Sequence, residues 1–478
     1  MSEESRISTV SLPILVSATG IGTFMGALDG SIVNISLKTI MDSLLVQQKD
    51  VAWVVLAYLI TMIGFTAIMG NFGDKYSNKI LFQLGLLIFT IGSALCAISQ
   101  NLEMLVLSRI IQAVGAAGTT ANGIAIVTRF TDKTNRGFAI GWNSMIVASA
   151  LSTGPILGGF LTEFFGWQSV FLINIPFGLI GLIWVQKAIP ATPPKLEQRN
   201  KPQDPLGSIL FALFMVCLIS GFKFLGDSDV NGSVTLSIIL IAFSLILFFL
   251  FYFYEKRSSS PAFDLNLFSN KRFSFGVLSA VLAYASLQAV IYQIPFYLQR
   301  DETHGLSPGD AGMIILGIPL MMSVAGPISG RLSDRFDPKY LTTIGIFGIG
   351  LGLSVFVLFL TANFSVIIIF VLLILIGSSI GFFSSPNGNS IMSSCPKEKI
   401  GLAGGMVGLA RISGFSLGIG ISTSLLTFFQ SQFQNIKGGE LFDPSNYIPA
   451  LQLVFLFFLI MILGAAVISY LRGSMERE

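Results

Sequence analysis

The chain has 478 residues, of which 53% are hydrophobic and 11% charged, and its mean hydropathy is +0.78. Soluble domains carry about 25% charged residues, so this composition excludes one, and it excludes disorder, which needs low hydrophobicity and high charge. The net charge of +3 is spread along the length and offers no basic patch for phosphates, so nucleic acid is excluded as a partner.

A bilayer core of about 30 Å takes around 20 apolar residues per helix. Fourteen stretches meet that length, at 12–38, 51–70, 80–99, 104–128, 137–161, 167–187, 206–226, 234–254, 273–298, 311–330, 341–361, 364–393, 401–430 and 448–471. The first is too long for a signal peptide and lacks a small-residue cleavage pattern, so it is expected to stay in the mature chain. The stretch 188–205, rich in Pro and mixed charge, reads as a connector. Cys96, Cys217 and Cys395 are odd in number, far apart and set in apolar runs, which fits packing rather than a disulfide framework. His304 has no partners with which to hold a metal.

Lys and Arg are retained in cytoplasmic loops. With the N-terminus inside, 21 of the 28 fall in cytoplasmic segments, five (Lys38, Lys49, Lys223, Arg300, Lys437) fall outside, and Arg109 and Arg411 lie within spans. Both termini are therefore expected in the cytoplasm.

An internal repeat organises the spans. The turn after the second reads Gly70-Asn71-Phe72-Gly73-Asp74-Lys75-Tyr76-Ser77-Asn78-Lys79, and the turn after the tenth reads Gly330-Arg331-Leu332-Ser333-Asp334-Arg335-Phe336-Asp337-Pro338-Lys339. Gly, Asp, the basic residue and the final Lys recur at an offset of 260 (334 − 74). The repeat and the span count predict an all-α membrane protein: a six-helix bundle over 1–190, connectors and an inserted helix pair over 191–272, and a second six-helix bundle over 273–478. Parallel repeats of this kind mark transporters.

The Gly70–Lys79 turn resembles the signature loop of the major facilitator superfamily, G-x-L-a-D-[RK]-x-G-[RK]-[RK], with Phe72 for Leu and Ser77 for Gly. Three further segments resemble the fourteen-helix drug:proton antiporter branch (QacA/EmrB-like). Leu28-Asp29-Gly30-Ser31-Ile32-Val33-Asn34 is similar to L-D-x-T-I-V-N, and Arg109-Ile110-Ile111-Gln112-Ala113 is similar to R-x-x-Q-G. Gly154-Pro155-Ile156-Leu157-Gly158-Gly159 matches G-P-x-x-G-G and is followed by Phe171-Leu172-Ile173-Asn174-Ile175-Pro176. The resemblance spans nearly the whole chain. It implies a proton-coupled multidrug exporter working by alternating access in a bacterial cytoplasmic membrane, as a monomer, with no cofactor beyond the proton gradient. The alternative is export of an endogenous lipid, siderophore or metabolite.

A carboxylate at membrane depth is costly unless protonated, paired or facing water, so Asp29 is expected to carry the proton. Counting helical rise from the outer ends of their spans, Arg109 lies about 9 Å deep and Asp29 about 14 Å, so a pair is plausible, with Arg109 biasing the proton occupancy of Asp29. The competing reading is a permanent structural ion pair. Arg411, near the midplane, suits an anionic or zwitterionic substrate group or else bonds backbone carbonyls. With one acid and two bases in the spans, a dication would be poorly served, and neutral, monocationic or zwitterionic amphiphiles are expected.

Gly154, Pro155, Gly158 and Gly159 permit bending and close helix contact, as hinge or as plain packing. Asp74 and Asp334 are expected near helix N-termini, latching the inner side together with Gly70, Lys75, Lys79 and Arg335. Tyr284, Gln288 and Tyr292 recur every four residues on one helix face; with Asn34, Gln112, Phe383 and Asn387 they are candidates for the substrate pathway, against simple packing. Phe382, Phe383, Pro386 and Asn387 are expected to break the twelfth span, and Trp53 and Tyr447 to anchor at the interface.

No Gly-Lys dipeptide occurs, so there is no nucleotide-binding P-loop, and His304 is placed outside the spans, away from any nucleophile. An enzyme or an ATP-driven pump is not expected. Asp29 argues against a channel or non-transporting receptor, which needs no carboxylate in the spans.

Overall fold

The computed structural model describes residues 11–131, 133–190, 205–225, 233–258, 261, 264–396, 399–437 and 443–473. The connector residues 191–204 lie outside them. Among the described residues there is no strand, and fourteen helices are long and apolar enough to cross a membrane. A hydrocarbon solvent leaves no partner for a free N–H or C=O, so a spanning chain of this kind closes its hydrogen bonds within helices.

Two compact units share the chain: one of residues 1–46, 53–212 and 258–262, the other of 47–52, 213–257 and 263–478. The first unit holds α1 (Leu12–Ser43), α3 (Trp53–Lys75), α4 (Asn78–Ala97), α5 (Leu102–Phe130), α6 (Lys133–Phe165), α7 (Ser169–Leu172) and α8 (Asn174–Ala188). The second holds α2 (Gln48–Val51), α10 (Ser233–Arg257), α11 (Lys271–Gln299), α12 (Pro308–Ile315), α13 (Gly317–Ser333), α14 (Pro338–Phe359), α15 (Val366–Ser393), α16 (Ile400–Lys437) and α17 (Pro444–Leu471). The division runs through α9 (Pro205–Leu225). Helices α9 and α10 are the least enclosed of the spans: only 28% and 22% of their apolar stretches are buried.

The helices pack in the same order inside each unit. In the first, α1 lies on α6, α5 on α3 and α4, and α4 on α8. In the second, α11 lies on α16, α15 on α13 and α14, and α14 on α17. Glycines make the crossings close. A Cβ added at Gly158 of α6 would stand 2.6 Å from the Ile32 carbonyl oxygen of α1, and one at Gly414 of α16 would stand 2.7 Å from that of Val281 in α11. Gly154 meets Ser31, and Gly418 meets Ala285 and Gln288. Gly154 and Gly414 stand 260 residues apart, as do Gly158 and Gly418, and likewise Gly85 and Gly345, and Gly92 and Gly352, which seat α4 on α5 and α14 on α15. Without a hydrophobic drive between helices in lipid, such backbone contact is what holds a bundle.

The signature turns sit differently from expectation. Asp74 belongs to the last turn of α3, and Asp334 is the C-cap of α13, so both stand at helix C-termini. The N-caps are Ser77, accepting from the Ile80 amide, and Asp337, accepting from the Lys339 amide; only the residue immediately before a helix can reach its free N–H groups. The Asp74 side chain lies outside the described part of the structure. Lys75 lies 5.7 Å from the Tyr76 ring. Lys79 donates to the carbonyls of Gln186 (3.1 Å) and Ile189 (2.6 Å) at the end of α8, where a cation suits the helix dipole. Its repeat partner Lys339 lies 4.6 Å from the Tyr470 ring of α17. Each lysine thus grips the last helix of its own bundle. Asp334 and Arg335 are exposed.

Two other expectations fail. α15 runs unbroken through Pro386, since neighbouring helices re-satisfy the freed backbone groups of a membrane helix. Tyr447 is buried, its ring 4.8 Å from the Arg300 guanidinium, so it is not an interfacial anchor.

Gly158→Val and Gly414→Val are expected to lower stability by about 1–3 kcal/mol each, the usual cost of overpacking. Thermal unfolding in detergent measures this, with Gly464→Val, which has open space around it, staying close to the parent.

Candidate functional site

Two long apolar helices of the first unit bring one carboxylate and one guanidinium into an interior that excludes solvent. Asp29 on α1 and Arg109 on α5 are both fully buried, and the Arg109 terminal nitrogen donates to Asp29 Oδ2 at 2.6 Å. Gln112, one turn beyond Arg109, closes the arrangement. Its Nε2 donates to Asp29 Oδ1 (2.7 Å) and to Ser93 Oγ of α4 (2.8 Å), and its Oε1 accepts from Arg109 (2.6 Å). Asn174 Nδ2, at the start of α8, donates to Asp29 Oδ1 at 3.4 Å.

Arg109 is held on every side. Its Nε donates to the Val54 carbonyl (2.9 Å), and its guanidinium lies 4.2 Å from the Tyr58 ring and 5.6 Å from that of Phe171. A guanidinium is weakly hydrated and stacks on aromatic faces, which makes it the cation best suited to burial. The helices come this close because Gly92 lies directly on the Gln112 backbone, where an added Cβ would stand 2.6 Å from the Gln112 nitrogen.

The cluster is electrically neutral: one carboxylate, one guanidinium and amides. Burial penalises each charge separately by several kcal/mol, so neither persists here without the other. A proton delivered to Asp29 would cancel its charge and leave Arg109 uncompensated. Both groups are sealed from solvent, so proton exchange requires a conformational change. Ser93 and Tyr58 have no motif around them to mark them in the sequence, and Asn174 is prominent there only as part of Phe171–Pro176. Two orphan atoms border the site: Tyr58 Oη and Asn174 Oδ1 are buried without a hydrogen-bond partner among the described residues.

The other candidates separate. Asn34 is buried and donates to the Gly30 carbonyl of its own helix at 3.0 Å, so it takes no part in the Asp29 cluster. The face of α11 divides along its length. Tyr284 packs edge-on against Phe383 (6.2 Å) and Phe415 (5.6 Å). Gln288 lies against Gly418. Tyr292 donates to the Gln48 carbonyl (2.9 Å), whose side chain bonds Gln293 (2.9 Å) and Arg300 (2.8 Å). Asn387 is used up structurally, donating to the Gly276 carbonyl (3.0 Å) and accepting from the buried Arg472 (2.7 Å). Arg411 is exposed, and its charge acts on Tyr284.

The family profile of the Major Facilitator Superfamily matches residues 19–419. The riboflavin transporter RibZ of Clostridioides difficile (strain 630) is 36% identical over 417 residues, 87% of this chain and 88% of its own. The methylenomycin A resistance protein of Bacillus subtilis (strain 168) is 27% identical over 459 residues, 95% of this chain and 96% of its own. Multidrug resistance protein Stp of Mycobacterium tuberculosis (strain CDC 1551 / Oshkosh) is 26% identical over 419 residues, 87% of this chain and 76% of its own. Among solved structures, a bacterial homologue of the human lysosomal transporter Spinster superposes with a TM-score of 0.69 at 14% identity, covering 96% of each chain. That likeness shows the fold.

Removing one member of a buried ion pair costs about 3–5 kcal/mol, whereas replacing both is far milder. Asp29→Ala and Arg109→Met are each expected to lower the unfolding midpoint strongly, and the double variant to recover part of the loss. A thermal-melt double-mutant cycle in detergent reads this; strict additivity would show that the two charges do not depend on each other.

Proposed function

We propose, from the premise that this chain belongs to the major facilitator superfamily, that it exports small amphiphilic organic molecules in exchange for protons. Family membership makes it a multi-pass membrane transporter and not an enzyme. The observation that carries the coupling reading is the sealed Asp29 carboxylate, whose oxygens are occupied by Arg109 and Gln112.

In this reading the ionised state is the closed one. The Arg109 and Gln112 donors hold the charge of Asp29, and no proton can displace them while helices exclude water. When the conformation admits a proton, the carboxyl group loses its grip on both donors, and α1 and α5 are freed from each other at that level. Release of the proton on the opposite side restores the cluster. Each proton moving down 100 mV supplies about 2.3 kcal/mol, and substrate moving the other way uses it. The loop lysines and arginines set the termini in the cytoplasm. The exposed turn residues Asp334 and Arg335, with Asp74 and Lys75, latch the inner side. The protein works as a monomer in a bacterial cytoplasmic membrane, with the proton gradient as its only energy source.

Export of drugs is supported by the relatives whose names carry resistance. A second reading, proton-coupled movement of a flavin-like metabolite, is favoured by the 36% identity to a riboflavin transporter. One assay serves both. Proteoliposomes with an imposed pH gradient are given ethidium, riboflavin or resorufin, and proton release is recorded for the parent and Asp29→Asn. The parent should couple proton movement to at least one of these, and Asp29→Asn should lose at least tenfold of the coupled rate. Full coupled transport by Asp29→Asn would overturn the assignment; coupling to riboflavin alone would select the second reading.

A further inference from the structure

We infer that Arg411, with Tyr284, Phe383 and Phe415, forms a recognition site for a planar aromatic solute carrying an anionic oxygen. This rests on the transporter reading and names the class of solute.

Arg411 lies within the span Leu402–Ile436, nine residues beyond its first, or about 14 Å along the helix. A guanidinium within a span faces a bundle interior or a water-filled cavity, because hydrocarbon cannot solvate it. The packing of α16 gives its direction. Gly414 and Gly418, three and seven residues on, are the contacts of α16 with α11, so Arg411 stands on that same stripe, one turn before the crossing. Its charge reaches Tyr284 of α11.

Unlike Arg109, Arg411 forms no hydrogen bond or ion pair with any described residue, and it is exposed. Asp29 cancels the charge of Arg109 inside the first unit. Arg411 is thus a cation with no paired acid among the described residues, and at this site the preference for neutral, monocationic or zwitterionic solutes that followed from summing all three groups gives way to one for an anionic group.

The surroundings add shape. Tyr284 meets Phe383 and Phe415 edge-on, at 75° and 86° between ring planes, making an aromatic corner that includes Phe415, four residues from Arg411 on α16. Towards the start of α16 the same stripe carries Gly408 and Gly404, and a Cβ at either would meet nothing within 4 Å. The stripe leading to the charged group thus carries no side chain at these two positions. The planar fork of arginine binds carboxylate-type oxygens in pairs and stacks on flat rings, and the aromatic corner favours another ring in offset or edge-on contact. A flat cation would be repelled by the same charge.

The test compares two fluorescent tricyclic probes of similar size, resorufin (an anion) and proflavine (a cation), by anisotropy with the full-length protein in detergent at pH 7.5. The parent should bind resorufin more tightly than proflavine. Arg411→Gln should weaken resorufin tenfold or more while leaving proflavine unchanged or tighter, and Arg411→Lys, which keeps the charge and loses the fork, should fall between. No resorufin binding by the parent, equal resorufin binding by the parent and Arg411→Gln, or parallel loss of both probes would overturn the inference. The binding assay carries no pH gradient, so failure of proton coupling and failure of this site are read separately.

Discussion

Everything in the first unit is arranged around a charge that its solvent will not accept. A carboxylate in the middle of a lipid-facing bundle persists only because a guanidinium and a carboxamide meet it at 2.6 and 2.7 Å. Those donors stay in place because α3, α4 and α8 close over them. Satisfaction and enclosure are the same requirement here: low dielectric strengthens the pair and makes its separation expensive. In the proposed coupling scheme the site would have two well-separated conditions, ionised and shut or protonated and released.

The two units show how a duplicated scaffold divides its labour. The offset of 260 residues holds through the signature turns and through four glycine crossings, so the backbone framework is common to both. The chemistry is not. Counting the same offset, Asp29, Arg109 and Gln112 fall on Ala289, Ile369 and Leu372. Gly352 rests on Leu372 and Ile376 as Gly92 rests on Gln112, so the second unit has an apolar core where the first has its charge cluster. Its own span cation, Arg411, lies on a different helix and is exposed. The glycines carry architecture in both units, and ionisable groups distinguish them.

Much of this is legible in the amino-acid order because membranes impose simple rules. Length of apolar runs gives the spans, and the cost of a buried charge singles out Asp29 and Arg109 by their position in those runs alone. The partners that satisfy a buried group come from elsewhere in the chain and leave no local trace, which is why Ser93 and Tyr58 go unmarked and why the polar face of Tyr284, Gln288 and Tyr292 looks continuous. Tyr292 and Asn387 prove to be committed to Gln48, Gly276 and Arg472, contacts that periodicity along one helix cannot reveal. Asp74 and Asp334 misled for a smaller reason: helix ends shift by a residue or two, and capping depends on the exact one. Gly414 and Gly418 carried a usable signal, four residues apart and 260 from Gly154 and Gly158.

The contact of Gly92 with the Gln112 main chain sets a ruler as well as a fit. Because α4 presses on backbone there, the carboxamide cannot retreat to make space, and the gap between α1 and α5 is measured for the short arm of aspartate. Glutamate keeps the same sign but is one methylene longer, and it would overrun donors that have nowhere to go. At position 29, side-chain reach matters as much as charge.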